Sequence, residues 1–211
     1  MHLNVKACVH HDLQPRFLEL YLGRKYYQHP AESVRLDLRF DSERTEKALR
    51  ARLTADAGPY GTSQYEFVLT AIDAGSDVFV ELKLSNDEGY AGGLIDLYLN
   101  TLGRYKVGFT EVGKSMFGNT KYITGQEGAA ERNVVRYMYA LSVSLERSKE
   151  PFDERAKAWF DATERHPRQL QELERDRYLA IKQREYENQL LYQRAADRGE
   201  VIELEKPTKN R

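Results

Sequence analysis

Between Asn100 and Phe117 the chain places Tyr105 three residues before the pair Gly108-Phe109. A ring at the exit of an apolar-alternating strand, with glycine just beyond it, suits a hairpin core or a stacking site for a flat ligand. A second group with chemical potential is Asp73 or Asp77 followed by Glu81-Leu82-Lys83. Two carboxylates and a lysine can hold Mg²⁺ and activate water. Strand alternation accounts for Glu81 and Lys83 equally well, as the solvent face of a sheet. Cys8 is the one cysteine, so no internal disulfide forms, and no clustered Cys/His pattern suggests zinc. His10 and His11 are adjacent, which puts them on opposite faces of a strand or far apart around a helix; they read as a loop, and no metal site and no cofactor are expected.

The elements that must position these residues change character along the chain. Residues 2–9 read as a short strand, and 13–28 as an aromatic-rich helix or irregular segment closed by His29-Pro30. Val34, Leu36, Leu38 and Phe40 alternate with Arg35, Asp37 and Arg39, the pattern of a half-buried strand. Asp41 or Ser42 then caps a predicted helix running to about Ala55, with Ala48, Leu49 and Leu53 inward. Residues 63–73 and 77–85 read as a hairpin around Ala74-Gly75-Ser76. A long strand follows over 94–109, bent near Gly103, and 112–128 is turn-rich.

From Ala129 the period becomes helical, with Val134, Met138, Leu141 and Leu145 as the inward stripe. Pro151 opens a second helix carrying Phe152, Ala156, Trp159, Phe160 and Thr163 on one side, and His166-Pro167 interrupts it. Arg168 to about Gly199 reads as one long polar helix, and the last residues as a disordered tail. Sheet first and helices after define an α+β fold, with an antiparallel or mixed sheet packed on a helical half. The expected division is a domain over 1–167, of which 1–32 is an extension, then a polar helix and tail over 168–211.

The whole chain has 211 residues, 41% hydrophobic and 31% charged, with a net charge of -1. One substantial core fits, beside a strongly solvated part. The neutral balance counts mildly against a nucleic-acid partner, since phosphate neutralisation supplies most of that affinity. No basic start followed by a long apolar run marks a signal peptide, and no segment approaches 18 consecutive apolar residues. The expected location is the cytoplasm of the producing cell, or a target cell reached without a signal peptide.

The segment 77–117, with Thr101, Tyr105, Gly108 and Phe109 at its strand ending, resembles the central strands of ribosome-inactivating proteins, the ricin and Shiga toxin A-chain family. Residues 48–56 look like that family's first helix, and the helices at 129–148 and 152–165 fall where it has its central ones. The resemblance spans roughly residues 34–170. It implies an rRNA N-glycosylase that removes one adenine from the sarcin-ricin loop and so inhibits translation, with the ribosome as partner. The base leaves its stack and is held between two tyrosines. A carboxylate then stabilises the oxocarbenium or orients water, and an arginine stabilises or protonates the leaving base.

Carried onto this chain, the resemblance implies Tyr105 and Tyr122 as the stacking pair, with Tyr137 and Tyr139 as substitutes for the second. Glu164 with Arg168 or Arg165 is the implied charged pair, and Glu174 with Arg177 the alternative. The family's serine-glutamate…arginine-phenylalanine string and its later tryptophan motif are both missing; the single tryptophan is Trp159. Two other functions stay open. One is an interaction protein that has kept the fold without the chemistry, its polar C-terminal helix being the protein-binding element. The other is a metal-dependent nuclease built on Asp73, Glu81 and Lys83.

Overall fold

A computed structural model describes residues 1–12, 16–58, 62–87 and 106–200. The fold is α+β, with a six-stranded antiparallel sheet in the N-terminal half and helices in the C-terminal half, ending in a long helix. The strands are β1 (Val5–His11), β2 (Phe17–Leu22), β3 (Val34–Arg44), β4 (Ala48–Ala57), β5 (Ser63–Asp73) and β6 (Val78–Asp87), paired in sequence order. A hairpin of β7 (Glu111–Lys114) and β8 (Thr120–Tyr122) follows, then α1 (Gly125–Glu146), α2 (Phe152–Thr163), α3 (Pro167–Leu170) and α4 (Arg175–Asp197).

Two compact units divide the described residues. One holds 3–87 with 180–200, and the other holds 1–2 with 106–179. The boundary expected at 167 is therefore not where the units part.

In the sheet unit, register makes one face apolar. Leu18 and Leu20 lie opposite Leu38 and Leu36, Phe40 opposite Leu53, and Leu53 opposite Phe67. Leu36, Leu38 and Ala55 are buried there, flanked by Leu18, Leu20, Leu22, Leu53, Tyr65 and Phe67. On the other face Ala7, Val9 and Tyr21 pack against Tyr192 and Ala196 of α4. In the helical unit Trp159 stacks on Tyr178 with ring centroids 5.2 Å apart and donates Nε1–H to the carbonyl of Arg136 at 3.1 Å.

Four expectations need correction. Residues 48–55 are strand, not helix. The run Ala48–Ala57 also alternates, with Leu49, Ala51, Leu53 and Ala55 on the apolar face and Arg50, Arg52 and Thr54 on the other. Two flanking strands make period two the winning pattern. Asp41 and Ser42 cap nothing, because β3 continues to Arg44 and the turn is closed by the Thr45 and Ala48 backbones at 2.8 Å. The segment 13–28 contributes β2, where Leu18, Leu20 and Leu22 share the apolar face. The polar helix does not run unbroken from Arg168, since Gln171 is extended and α4 begins at Arg175.

The inward line of α1 is the fourth. It holds Arg132, Arg136 and Val143, while Leu145 of the expected stripe is exposed. The two arginines tolerate burial because backbone carbonyls and a carboxylate receive them. Arg132 donates to the carbonyl of Lys106 at 3.0 Å, and Arg136 to that of Leu170 at 3.1 Å and to Glu172 Oε1 at 2.9 Å.

Candidate functional site

Tyr105 lies outside the described residues, as does the part of the expected long strand over 94–105. Its motif partners do not. Gly108 donates its N–H to the carbonyl of Ile123 at 2.7 Å. A Cβ there would meet Glu131 Oε2 at 2.4 Å, Ile123 Cγ2 at 2.6 Å and Gly128 Cα at 3.0 Å. Glycine is needed at 108 for this close approach to the start of α1. Glu131 Oε2 accepts the N–H groups of Phe109 at 2.5 Å and Thr110 at 3.0 Å, and Oε1 accepts the Thr110 hydroxyl at 2.6 Å. Burial alone would raise the Glu131 pKa, but these three donors outweigh it and hold the carboxyl below its ordinary range.

The hairpin and the break between α2 and α3 bring some implied residues together. Tyr122, on β8, has the Arg168 guanidinium 5.1 Å from its ring centroid, within cation–π range. His166, before α3, sits edge-on to Phe109 at 5.2 Å and stacked with Tyr139 at 6.4 Å. Pro167 opens α3 and so turns the chain between Glu164 and Arg168. Glu164 consequently makes no ion pair with Arg168. One of its oxygens accepts from Gln171 Nε2 at 3.3 Å; the other is buried without a hydrogen-bond partner. Burial first, then the charges of Glu174 and Asp161, push its pKa up.

The remaining implied residues disperse. Arg165, Glu174 and Arg177 are exposed, and Glu174 and Arg177 form no ion pair with each other. Tyr137 stacks on His2 with centroids 4.6 Å apart. Trp159 is core.

The set Asp73, Glu81 and Lys83 does not converge either. Asp73 closes the β5–β6 turn, accepting the Gly75 N–H at 2.8 Å, and lies opposite Val78. Glu81 lies opposite Thr70, further along the ladder, and pairs with Lys83 at 3.3 Å on the same face. Asp77 hydrogen-bonds Ser76 in the turn. Among the described residues no three His, Cys, Asp or Glu side chains gather as a metal site would require. The sheet's polar face does carry a groove of about 510 Å³, lined by residues that include Arg39, Arg52, Asp56, Glu66, Ser85 and Asp87. Its arginines are matched to Asp56 and Glu66, and none of the implied residues line it.

Among the described residues the two edges of the sheet differ. At β1, α4 supplies the missing ladder. Gln189 accepts the Cys8 N–H at 2.5 Å and donates to the Cys8 carbonyl. Gln193, one turn on, does the same for His10 at 3.0 and 2.9 Å. Lys182 donates to the carbonyl of Val5 at 2.9 Å. Two amides spaced i, i+4 on a helix thus match two residues spaced i, i+2 on a strand. A buried triad clamps the same helix, with Glu185 between Lys6 at 2.7 Å and Lys182 at 2.6 Å. Burial pushes the Lys182 pKa down to about 8, against the pull of Glu185.

At the other edge, β6 pairs with β5 continuously from Val78 to Ser85 and with no other strand among the described residues. Val78 and Phe79 are 64% and 59% exposed. Sequence reasoning missed this contrast, although the alternation of Val80, Leu82 and Leu84 with Glu81 and Lys83 was visible in it. No family model, no curated protein and no solved structure matches the chain.

Proposed function

We propose that this is a protein-interaction module that takes up an extended polypeptide strand along β6. The observation that carries this is the contrast between the edges. β1 is sealed by α4 at Cys8 and His10, whereas β6 has no second strand partner among the described residues. Natural sheets blunt free edges with proline, bulges, short strands or charged side chains. Across Val78–Ser85 there is no proline and no bulge; Glu81 and Lys83, paired at 3.3 Å, are the charges it carries. An open edge of this kind offers main-chain hydrogen bonds to an added strand and pockets for its alternate side chains. The C-terminal helix is a weaker docking element than its composition suggests, because Lys182, Glu185, Gln189, Tyr192 and Gln193 are committed to its own sheet. No helix among the described residues is long and apolar enough to cross a membrane.

A labelled synthetic peptide of residues 78–87 tests the module. Saturable binding is expected, together with slowed amide exchange confined to β6. Binding without protection of β6, or no binding, overturns it.

An rRNA N-glycosylase is the second proposal. It is favoured by the contact of Arg168 with Tyr122 and by the unpartnered oxygen of Glu164. In that chemistry Arg168 yields its place on the ring to the extruded adenine, and Glu164 supports the sugar cation. Incubation with ribosomes followed by aniline treatment of the RNA should release a large-subunit fragment, lost in Tyr122→Ala and Glu164→Ala. No fragment beside an active control toxin ends this proposal.

A further inference from the structure

We infer that the tip of the β7–β8 hairpin inserts Met116 and Phe117 into the surface of an anionic phospholipid bilayer, with Lys114 and Lys121 at the level of the phosphates. The inference is independent of strand addition along β6.

Turns favour glycine, proline, asparagine, aspartate and serine. Here the two central residues of a tight turn are large and apolar. Gly118 donates its N–H to the Ser115 carbonyl at 2.9 Å, closing the turn around Met116 and Phe117. Ser115 donates its own N–H to the Asn119 carbonyl at 2.8 Å. The Ser115 hydroxyl oxygen accepts the N–H groups of Phe117 at 3.3 Å and Asn119 at 3.1 Å. Gly118 supplies a positive φ of 78°, which glycine adopts without steric cost. The turn so built holds both side chains outward: Met116 is 100% exposed and Phe117 91%. Below it, Gly108 donates to the Ile123 carbonyl at 2.7 Å and Ile123 to that of Thr110 at 2.9 Å, so the hairpin is rooted at the start of α1. The apolar pair is thus displayed on an ordered support, and inserting it requires little further ordering.

Charge names the occupant. From Val112 to Gln126 the chain has no acidic residue, although 33 of its residues are Asp or Glu. Lys114 lies opposite Thr120, and Lys121 opposite Gly113, so the two lysines stand on opposite faces of the hairpin. Both are exposed, and neither is in an ion pair among the described residues. A protein pocket receives an apolar tip from one side, and a nucleobase stacks on one face of a ring. Cations on both faces, just behind an apolar tip, match a planar anionic surface that surrounds the tip on all sides. The lysine stems reach along apolar surface while their ammonium groups stay among the phosphates. Two side chains and two charges give reversible association rather than a permanent anchor.

The test sediments the full chain with vesicles of phosphatidylcholine alone, or of phosphatidylcholine and phosphatidylserine in equal parts. Saturable binding to the mixed vesicles is expected, weakened by salt and about tenfold or more weaker without phosphatidylserine. M116S/F117S and K114Q/K121Q should each weaken it about tenfold or more. Both double variants change exposed side chains only, so their unfolding midpoints should match that of the unsubstituted chain. Phe117→Trp should show emission shifted to the blue on the mixed vesicles, above a constant background from the buried Trp159. No binding to the mixed vesicles, equal binding to both kinds, or binding that M116S/F117S leaves intact overturns the inference. A Phe117→Trp emission that shifts with protein concentration in the absence of lipid assigns the tip to a protein surface and overturns it too. A lowered midpoint in M116S/F117S shows the tip packed against protein and does the same.

Discussion

Replacing Glu185 by glutamine should strongly destabilise the sheet unit. Both carboxylate oxygens are engaged, one by Lys6 and one by Lys182, and all three side chains are at most 3% exposed. E185Q keeps the shape but removes the charge that two buried ammonium groups share. Breaking a buried pair in this way costs about 3–5 kcal/mol, and here two cations are stranded rather than one. The protein's remedy is to lose a proton. Lys182 already titrates near 8, and without Glu185 it should titrate lower still.

The sign follows from linkage. An unfolded lysine keeps its proton to about 10.4, so across pH 8 to 9.5 the unfolded chain binds more protons and this group's contribution to stability rises with pH. If E185Q lowers Lys182 by a unit or more, the difference between variant and unsubstituted protein should narrow by about 1–1.4 kcal/mol in total between pH 7 and pH 9.5. Urea unfolding at both pH values, followed by far-ultraviolet circular dichroism, measures this. A loss below about 1 kcal/mol at pH 7, or a difference that widens with pH, would refute the account of the triad.

Three further outcomes are expected. Q189A/Q193A should lower stability by about 1–3 kcal/mol, since each amide gives two hydrogen bonds to a half-exposed edge, and should increase aggregation in light scattering as β1 opens. Gly108→Ala should cost about 1–3 kcal/mol by overpacking against Ile123 and Gly128, read as a lowered unfolding midpoint, while Gly75→Ala, with open space around its Cβ, loses only its backbone preference. Glu131 holds a depressed pKa, so its contribution is present above about pH 4.5 and lost as pH falls through its folded value; Glu131→Gln should flatten that acid limb of the stability curve.

The α+β class and most strand and helix positions were legible because burial wrote clear periods. Val34–Phe40 and 63–85 alternate, and the residues around Trp159 recur at helical spacing. Residues 48–57 were not legible because Ala48, Leu49 and Leu53 satisfy a helical stripe while every second residue also satisfies a strand, and only pairing with β3 and β5 decides. The inward face of α1 was hidden because arginine reads as solvent-facing, and the carbonyls that receive Arg132 and Arg136 come from residues 106 and 170. Gly108, singled out for its place beside Phe109, stands in close approach to Ile123 and Gly128. Glu164 and Arg168 form no ion pair, because Pro167 turns the chain between them and the arginine lies on Tyr122. The glutamines that seal β1 carry no signal in their own neighbourhood, being matched to residues 181 and 183 positions away.

That separation also orders events during biosynthesis. β1 is made well before the helix that closes its edge. At a synthesis rate of about 5–20 residues per second, about 10–40 s pass between the appearance of Cys8 and that of Gln189. Throughout that interval the β1 edge of the growing chain lacks the cover that α4 gives it, so mispairing there is open until the helix has been made.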